Sequence, residues 1–217
     1  MMLRSHRIAR LVPAAAAVGA LAVLTASCAT QSQVEASASG ISQQQQSPYK
    51  GTELGIPTPI PAVTLTDADG KPYDLKANAA GKVTLVYFGY THCPDECPTA
   101  MADLAAALRL TPADKRAKVQ VVFVTTDPER DTGPVLKQWL AKFDPSFIGL
   151  TGTVEQVDNA AKLAATPVAP PRKNADGSIE VDHGTQVNAF GPDGVAHVVW
   201  LAGVLPKDIA HDIALLT

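Results

Sequence analysis

The sequence predicts an α/β domain of three layers, with helices on both faces of a central mixed β-sheet and a β-hairpin at its N-terminal side. Three observations carry this. Val83–Phe88 and Val119–Thr125 are continuous apolar runs, the composition of strands buried on both faces. Segments with apolar residues at helical spacing follow them in alternation. Two pairs of strand-like runs flank the turn-forming tetrapeptides Asp67-Ala68-Asp69-Gly70 and Gly191-Pro192-Asp193-Gly194.

Taken in order, Gly55–Pro61 carries three prolines and is expected to be extended. Val63–Thr66 and Pro72–Leu75 form the first hairpin. Val83–Phe88 is a central strand. The helix after it begins near Asp95, because Pro98 is tolerated only in a first turn, and Met101, Leu104, Ala105 and Leu108 give it one apolar face. Val119–Thr125 is the second buried strand. Val135–Phe143 is helical, with Leu136, Leu140 and Phe143 inward, and Phe147–Leu150 is a short strand. Thr153-Val154-Glu155-Gln156 has capping-box form and opens another helix. A proline-rich connection, Pro167–Pro171, leads to the turn Asn174-Ala175-Asp176-Gly177. Thr185–Phe190 and Ala196–Leu201 form the last two strands, and a final helix follows Pro206. The order βαβαβ, then hairpin and helix, is that of a thioredoxin-like domain. Trp139 and Trp200 fit packing positions in it.

At 217 residues the chain has ample apolar residues for one domain without disulfide staples. The net charge of −3 comes with no basic patch beyond the N-terminus, which argues against nucleic acid as a partner. Residues 1–27 read as a targeting segment. Arg4, Arg7 and Arg10 precede the apolar stretch Leu11–Ala26, which is short against the roughly 20 residues of a membrane span. Leu24-Thr25-Ala26-Ser27-Cys28 looks like a bacterial lipobox with Cys28 as the lipidated residue, although Thr25 stands where leucine is usual. An uncleaved anchor or an ordinary signal peptide are the competing readings. Residues 28–48, with Gln43-Gln44-Gln45-Gln46 and several serines, hold too few apolar residues to fold and read as a flexible tether. The folded domain is expected over 49–217, lipid-anchored on the extracytoplasmic face of the bacterial cell membrane.

The chemistry centres on Cys93 and Cys97. Helix geometry places Cα atoms four residues apart at about 6 Å, which permits either a disulfide or a shared soft metal ion. If Cys28 carries lipid, these two are the remaining thiols. Outside the cytoplasm such a pair tends toward disulfide, so a function that needs dithiol requires a thiol reductant. In this architecture the segment before the late hairpin lies beside the site, and here it is Val181-Asp182-His183-Gly184. His183 would complete a set of two sulfurs and one nitrogen, suited to copper(I) and able to accept copper(II). Structural zinc fits less well, since no fourth ligand is evident. Asp95 and Glu96, between the sulfurs, oppose thiolate formation and favour a cationic metal. The competing readings are a structural disulfide, whose small loop constrains little, and a His183 bonded only to backbone. His92 reads as a partly exposed histidine outside the ligand set, and His197 and His211 as structural. Asp127 to Asp131 could cap a helix and order the loop near the site.

Three pieces carry a family resemblance: Phe88-Gly89-Tyr90-Thr91-His92-Cys93-Pro94-Asp95-Glu96-Cys97-Pro98, Thr126-Asp127-Pro128-Glu129-Arg130-Asp131-Thr132, and Asp182-His183. Over about Gly55–Thr217 the chain resembles the Sco/SenC family, copper-binding proteins of thioredoxin-like fold that help assemble the copper A centre of cytochrome c oxidase. The resemblance implies Cys93, Cys97 and His183 as copper ligands, and a cysteine pair that interconverts between dithiol and disulfide. It implies a membrane-tethered metallochaperone with cytochrome c oxidase subunit II as acceptor. Glu96 stands where the family often has an aliphatic residue, Gly184 where it has serine or threonine, and Gly133 separates Thr132 from the usual proline. The alternative is a thiol-disulfide oxidoreductase that reduces the target's cysteines, although dedicated enzymes of this fold usually carry C-x-x-C. A thiol peroxidase fits poorly, because strand residues stand where its motif requires proline.

Overall fold

The computed structural model describes residues 47–217. The expected signal peptide, Cys28 and the tether up to residue 46 lie outside the described residues. Strands β1 (Thr52–Pro59), β2 (Thr64–Asp67) and β3 (Pro72–Asp74) lead through helix α1 (Leu75–Ala79) into β4 (Val83–Gly89). Then come α2 (Glu96–Leu110), α3 (Ala113–Arg116), β5 (Val119–Thr125), α4 (Gly133–Leu140), β6 (Ile148–Thr151) and α5 (Val154–Leu163). The small strands β7 (Arg172–Lys173) and β8 (Ile179–Glu180) precede β9 (Val187–Phe190), β10 (Val195–Trp200) and α6 (Pro206–Leu216).

Eight strands form one mixed sheet in the order β1-β10-β9-β4-β5-β6-β2-β3. β5 runs parallel to β4 and β6, and the remaining neighbours are antiparallel. Every residue of β4 is buried, and its alternation divides them between two cores. Val83, Leu85 and Tyr87 join Leu104 and Leu108 of α2, Leu136 of α4 and Ile213 of α6. Val86 and Phe88 join Leu75 of α1 and Val157 and Ala160 of α5 on the other face. The three expected layers follow from that division.

Some elements differ from the sequence expectation. The proline-bearing stretch is more than extended: β1 pairs with β10, Thr52 opposite Val199 and Thr58 opposite Ala196, with a register shift between Glu53 and Thr58. Prolines are tolerated there because β1 is an edge strand. Leu75 starts α1 and does not extend the hairpin, because the Asp74 side chain accepts from the Ala77 amide and caps a helix. The turn Asn174–Gly177 closes the β7–β8 hairpin, with Gly177 at a φ of 86°, where a side chain would be strained. The capping box at Thr153 and Gln156 forms as expected.

The chain enters the domain through a buried carboxylate. Asp212 of α6 accepts from the amides of Lys50 (2.8 Å) and Gly51 (2.9 Å) and from Trp200 Nε1 (2.9 Å). Among the described residues, no helix is long and apolar enough to cross a membrane.

Candidate metal centre

β4 ends at Gly89, and the chain turns through Tyr90–Asp95 into α2. The Cys93 amide donates to the Tyr90 carbonyl (3.2 Å), and the Asp95 side chain caps the helix through the Glu96 amide (2.7 Å). The two cysteines therefore do not share a helical turn as the spacing suggested. Cys97 is the second residue of α2, while Cys93 lies in the loop before it. Pro94 disfavours the helical conformation at the residue that precedes it, and the Asp95 cap, two residues after Cys93, starts the helix. Both thiols are free, Cys97 fully buried and Cys93 half-buried. The Cys97 amide donates to the Cys93 sulfur (3.4 Å) and fixes its position.

Gly89 makes room for this arrangement. A Cβ there would lie 2.7 Å from the Cys97 sulfur and 2.7 Å from the Tyr87 ring. Burial, reinforced by the Cys93 sulfur and partly offset by the Tyr90 backbone, pushes the Cys97 thiol far above the ordinary cysteine range. A metal bound there must displace that proton.

His183 arrives from 86 residues away in sequence. The proline-rich connection is the rail that holds it. The Gly184 amide donates to the Pro167 carbonyl (2.6 Å), the Ala169 amide to the Asp182 carbonyl (3.0 Å), and Val168 and His183 form an antiparallel bridge. The imidazole Nδ1 lies 3.0 Å from the Gly184 carbonyl. A carbonyl only accepts, so Nδ1 carries the proton and Nε2 keeps the lone pair. That nitrogen sits 3.4 Å from the Cys97 sulfur and accepts its S–H. Tyr87 and Tyr90 meet the ring edge-on, with centroids at 6.0 and 5.6 Å.

The donor atoms of Cys93, Cys97 and His183 all lie within 4.8 Å of one another. Two sulfurs and a neutral imidazole nitrogen, its other nitrogen bonded to backbone, make a set whose chemistry fits copper(I).

Behind the loop stands Asp131, wholly buried. It accepts from the Thr91 amide (2.8 Å), the Thr91 hydroxyl (2.6 Å) and the Thr125 hydroxyl (2.7 Å). Asp127 is likewise buried and pairs with Arg130, whose guanidinium lies 6.0 Å from the centre of the Tyr90 ring. The Asp127–Asp131 segment thus orders the cysteine loop. His92 is exposed and stands outside the three-donor group. His197 pairs with Asp193 and His211 with Asp212, each at 2.9 Å. Sequence reasoning missed the contacts of Tyr87 and Tyr90 with the imidazole, and it missed the bond from Asp131 to Thr91. Thr91, within the cysteine motif, was the available signal for the second.

The SCO2 protein of Saccharomyces cerevisiae mitochondria is 37% identical over 147 residues, 67% of this chain and 47% of its own length. The chain spans about half the length of the curated mitochondrial relatives it matches. The copper-bound structure of Bradyrhizobium japonicum ScoI superposes with a TM-score of 0.64 at 31% identity, covering 71% of this chain and 97% of that one. A SCO1/SenC family lipoprotein from Bacillus anthracis gives 0.63 at 25% identity, covering 75% and 98%. The SCO1/SenC family model matches residues 60–217, which include every residue of the candidate centre, and the chain belongs to that family.

Proposed function

We propose that this protein is an extracytoplasmic copper metallochaperone. It holds copper(I) between Cys93, Cys97 and His183 and passes the ion on by ligand exchange, with the copper A centre on cytochrome c oxidase subunit II as acceptor. The convergence of two free thiols and an imidazole lone pair within 4.8 Å carries the reading. The copper in the Bradyrhizobium ScoI structure supports it. Lipidation at Cys28 and a tether over 28–48 would keep the domain at the membrane surface. The Bacillus anthracis lipoprotein of the same family supports that part.

The test is an anaerobic copper(I) competition titration of the reduced protein beside His183→Ala. One-to-one binding that weakens by about tenfold or more in the variant is expected. Equal affinity in the two proteins would sink the three-donor site.

A second reading, reduction of the acceptor's cysteines, rests on the unequal exposure of the thiols. Cys93 would attack a partner's disulfide and Cys97 would close on it, delivering two electrons and leaving a disulfide for a thiol reductant to restore. That activity needs both cysteines and not His183, so the same variant separates the two readings.

A further inference from the structure

The ring of His183 is not the only imidazole held with Nδ1 as the donor and Nε2 as the lone-pair nitrogen. Thr91 has a single hydroxyl proton and gives it to Asp131 Oδ1 at 2.6 Å. At its 3.2 Å contact with His92 Nδ1, the same oxygen can only accept. In the neutral ring Nδ1 is therefore the donor, and Asp131 Oδ1 lies 3.5 Å from that nitrogen. His92 is thus backed by a buried carboxylate, and its Nε2 is left free to bind. That is how metal-ligating histidines are commonly prepared. The carboxylates of Asp127 and Asp131 near this ring are already engaged by Arg130, Thr91 and Thr125, so they form no separate cation site.

The donors around the centre are graded in exposure. Cys97 is fully buried, its sulfur packed under Gly89, and Cys93 is half-buried. His92, the chain neighbour of Cys93, has half its side chain in solvent (51%). Cys93 is thus the less buried of the two thiols, and His92 is the exposed nitrogen donor next to it in the chain.

We propose that His92 Nε2 is a transfer ligand for copper(I), an inference that rests on the copper reading above. The ion moves outward by giving up its bonds to Cys97 and His183 in turn and gaining one to His92 Nε2, while its bond to Cys93 is kept. It is then presented to the acceptor by Cys93 sulfur and His92 nitrogen, a two-donor pair suited to copper(I). No electron moves, and the Cys97 sulfur takes a proton from solvent as its bond to copper breaks.

The test is anaerobic stopped-flow transfer of copper(I) from the reduced full-length protein to excess bathocuproine disulfonate. Wild type, His92→Ala and His92→Met are compared, with equilibrium affinities measured alongside. His92→Ala should slow transfer about tenfold while changing affinity far less than His183→Ala does, and His92→Met, which restores a soft donor, should recover the rate. Transfer from His92→Ala at the wild-type rate would overturn the proposal. So would a His92→Met as slow as His92→Ala, or an affinity loss in His92→Ala as large as that of His183→Ala. A wild type that binds no copper(I) brings down the copper site and the relay together. A wild type that binds through His183, with His92→Ala indifferent, brings down the relay alone.

Discussion

Asp131 offers the sharpest test of how the site is built. Replacing it with alanine removes three hydrogen bonds to a carboxylate that solvent does not reach, and strands the Thr91 amide and the Thr125 hydroxyl. Hydrogen bonds to charged groups contribute about 1.5–3 kcal/mol each, but relaxation recovers part of a triple loss, so Asp131→Ala should cost about 3–4 kcal/mol. Asparagine is milder. Its amide oxygen can keep the Thr91 amide and Thr125 hydroxyl on the Oδ2 side, leaving one bond to rearrange, for about 1–2 kcal/mol. The amide nitrogen then faces the Thr91 hydroxyl, which turns to donate to His92 Nδ1 and moves the ring proton to Nε2. Asp131→Asn should therefore slow copper transfer as His92→Ala does while remaining folded. Guanidinium unfolding of the reduced, metal-free proteins reads the stabilities, with equal slopes required for the comparison. An Asp131→Ala protein within about 0.5 kcal/mol of wild type would refute the assignment of Asp131 as the buried anchor of the loop. Equal costs for alanine and asparagine would refute the hydrogen-bond reasoning.

Three further outcomes follow from the geometry. Gly89→Ala should destabilise the fold by about 1–3 kcal/mol and weaken copper(I) binding, because the added methyl meets the Cys97 sulfur and the Tyr87 ring; melting and competition titration check both. Copper(I) affinity should rise by at least about tenfold per pH unit around neutrality, since burial keeps a proton on Cys97 that the metal must displace, and a flat profile would contradict this. At Asp212 burial works to raise the carboxyl, but hydrogen bonds from His211, Lys50, Trp200 and Gly51 outweigh it and hold the group below its usual 3.8. A depressed carboxyl stabilises above its unfolded value and loses that contribution as pH falls through the folded one. The advantage of wild type over Asp212→Asn should therefore shrink on acidification below about pH 4, and urea midpoints that diverge instead would contradict the sign.

The parts of the fold written in continuous or periodic patterns were legible in the sequence. β4 and β5 announced themselves by apolar runs, α5 by its capping box and the β9–β10 hairpin by its turn. α1 was not legible, because five residues are too few for a helical period and its signal is one capping bond at Asp74. β1 was hidden by prolines that only an edge position tolerates. At the site the cysteines stood in an informative motif, although Pro94 moved Cys93 out of the helix. His183 is the opposite case. Nothing local marks it, since its place depends on a bridge to Val168 and on packing against Tyr87 and Tyr90, and the family resemblance supplied what local pattern could not. Asp131 lies 40 residues from Thr91, so the sequence suggested that its segment orders the loop but the partner it bonds came only from the three-dimensional structure.

The register of the sheet fixes one more property, how far the first strand lies from the cysteine loop. Thr52 lies opposite Val199, Val199 opposite Asn188, and Asn188 opposite Val86, one residue before Tyr87. That row crosses three strand spacings, about 14 Å. The first strand therefore begins level with the middle of β4, and Gly51 and Lys50, held by the Asp212 clasp, continue from there into the half of the sheet that ends at Gly89. Force applied at Lys50 is thus taken up first by the Asp212 clasp and the β1–β10 ladder, and it reaches β4 and the cysteine loop only across three strands.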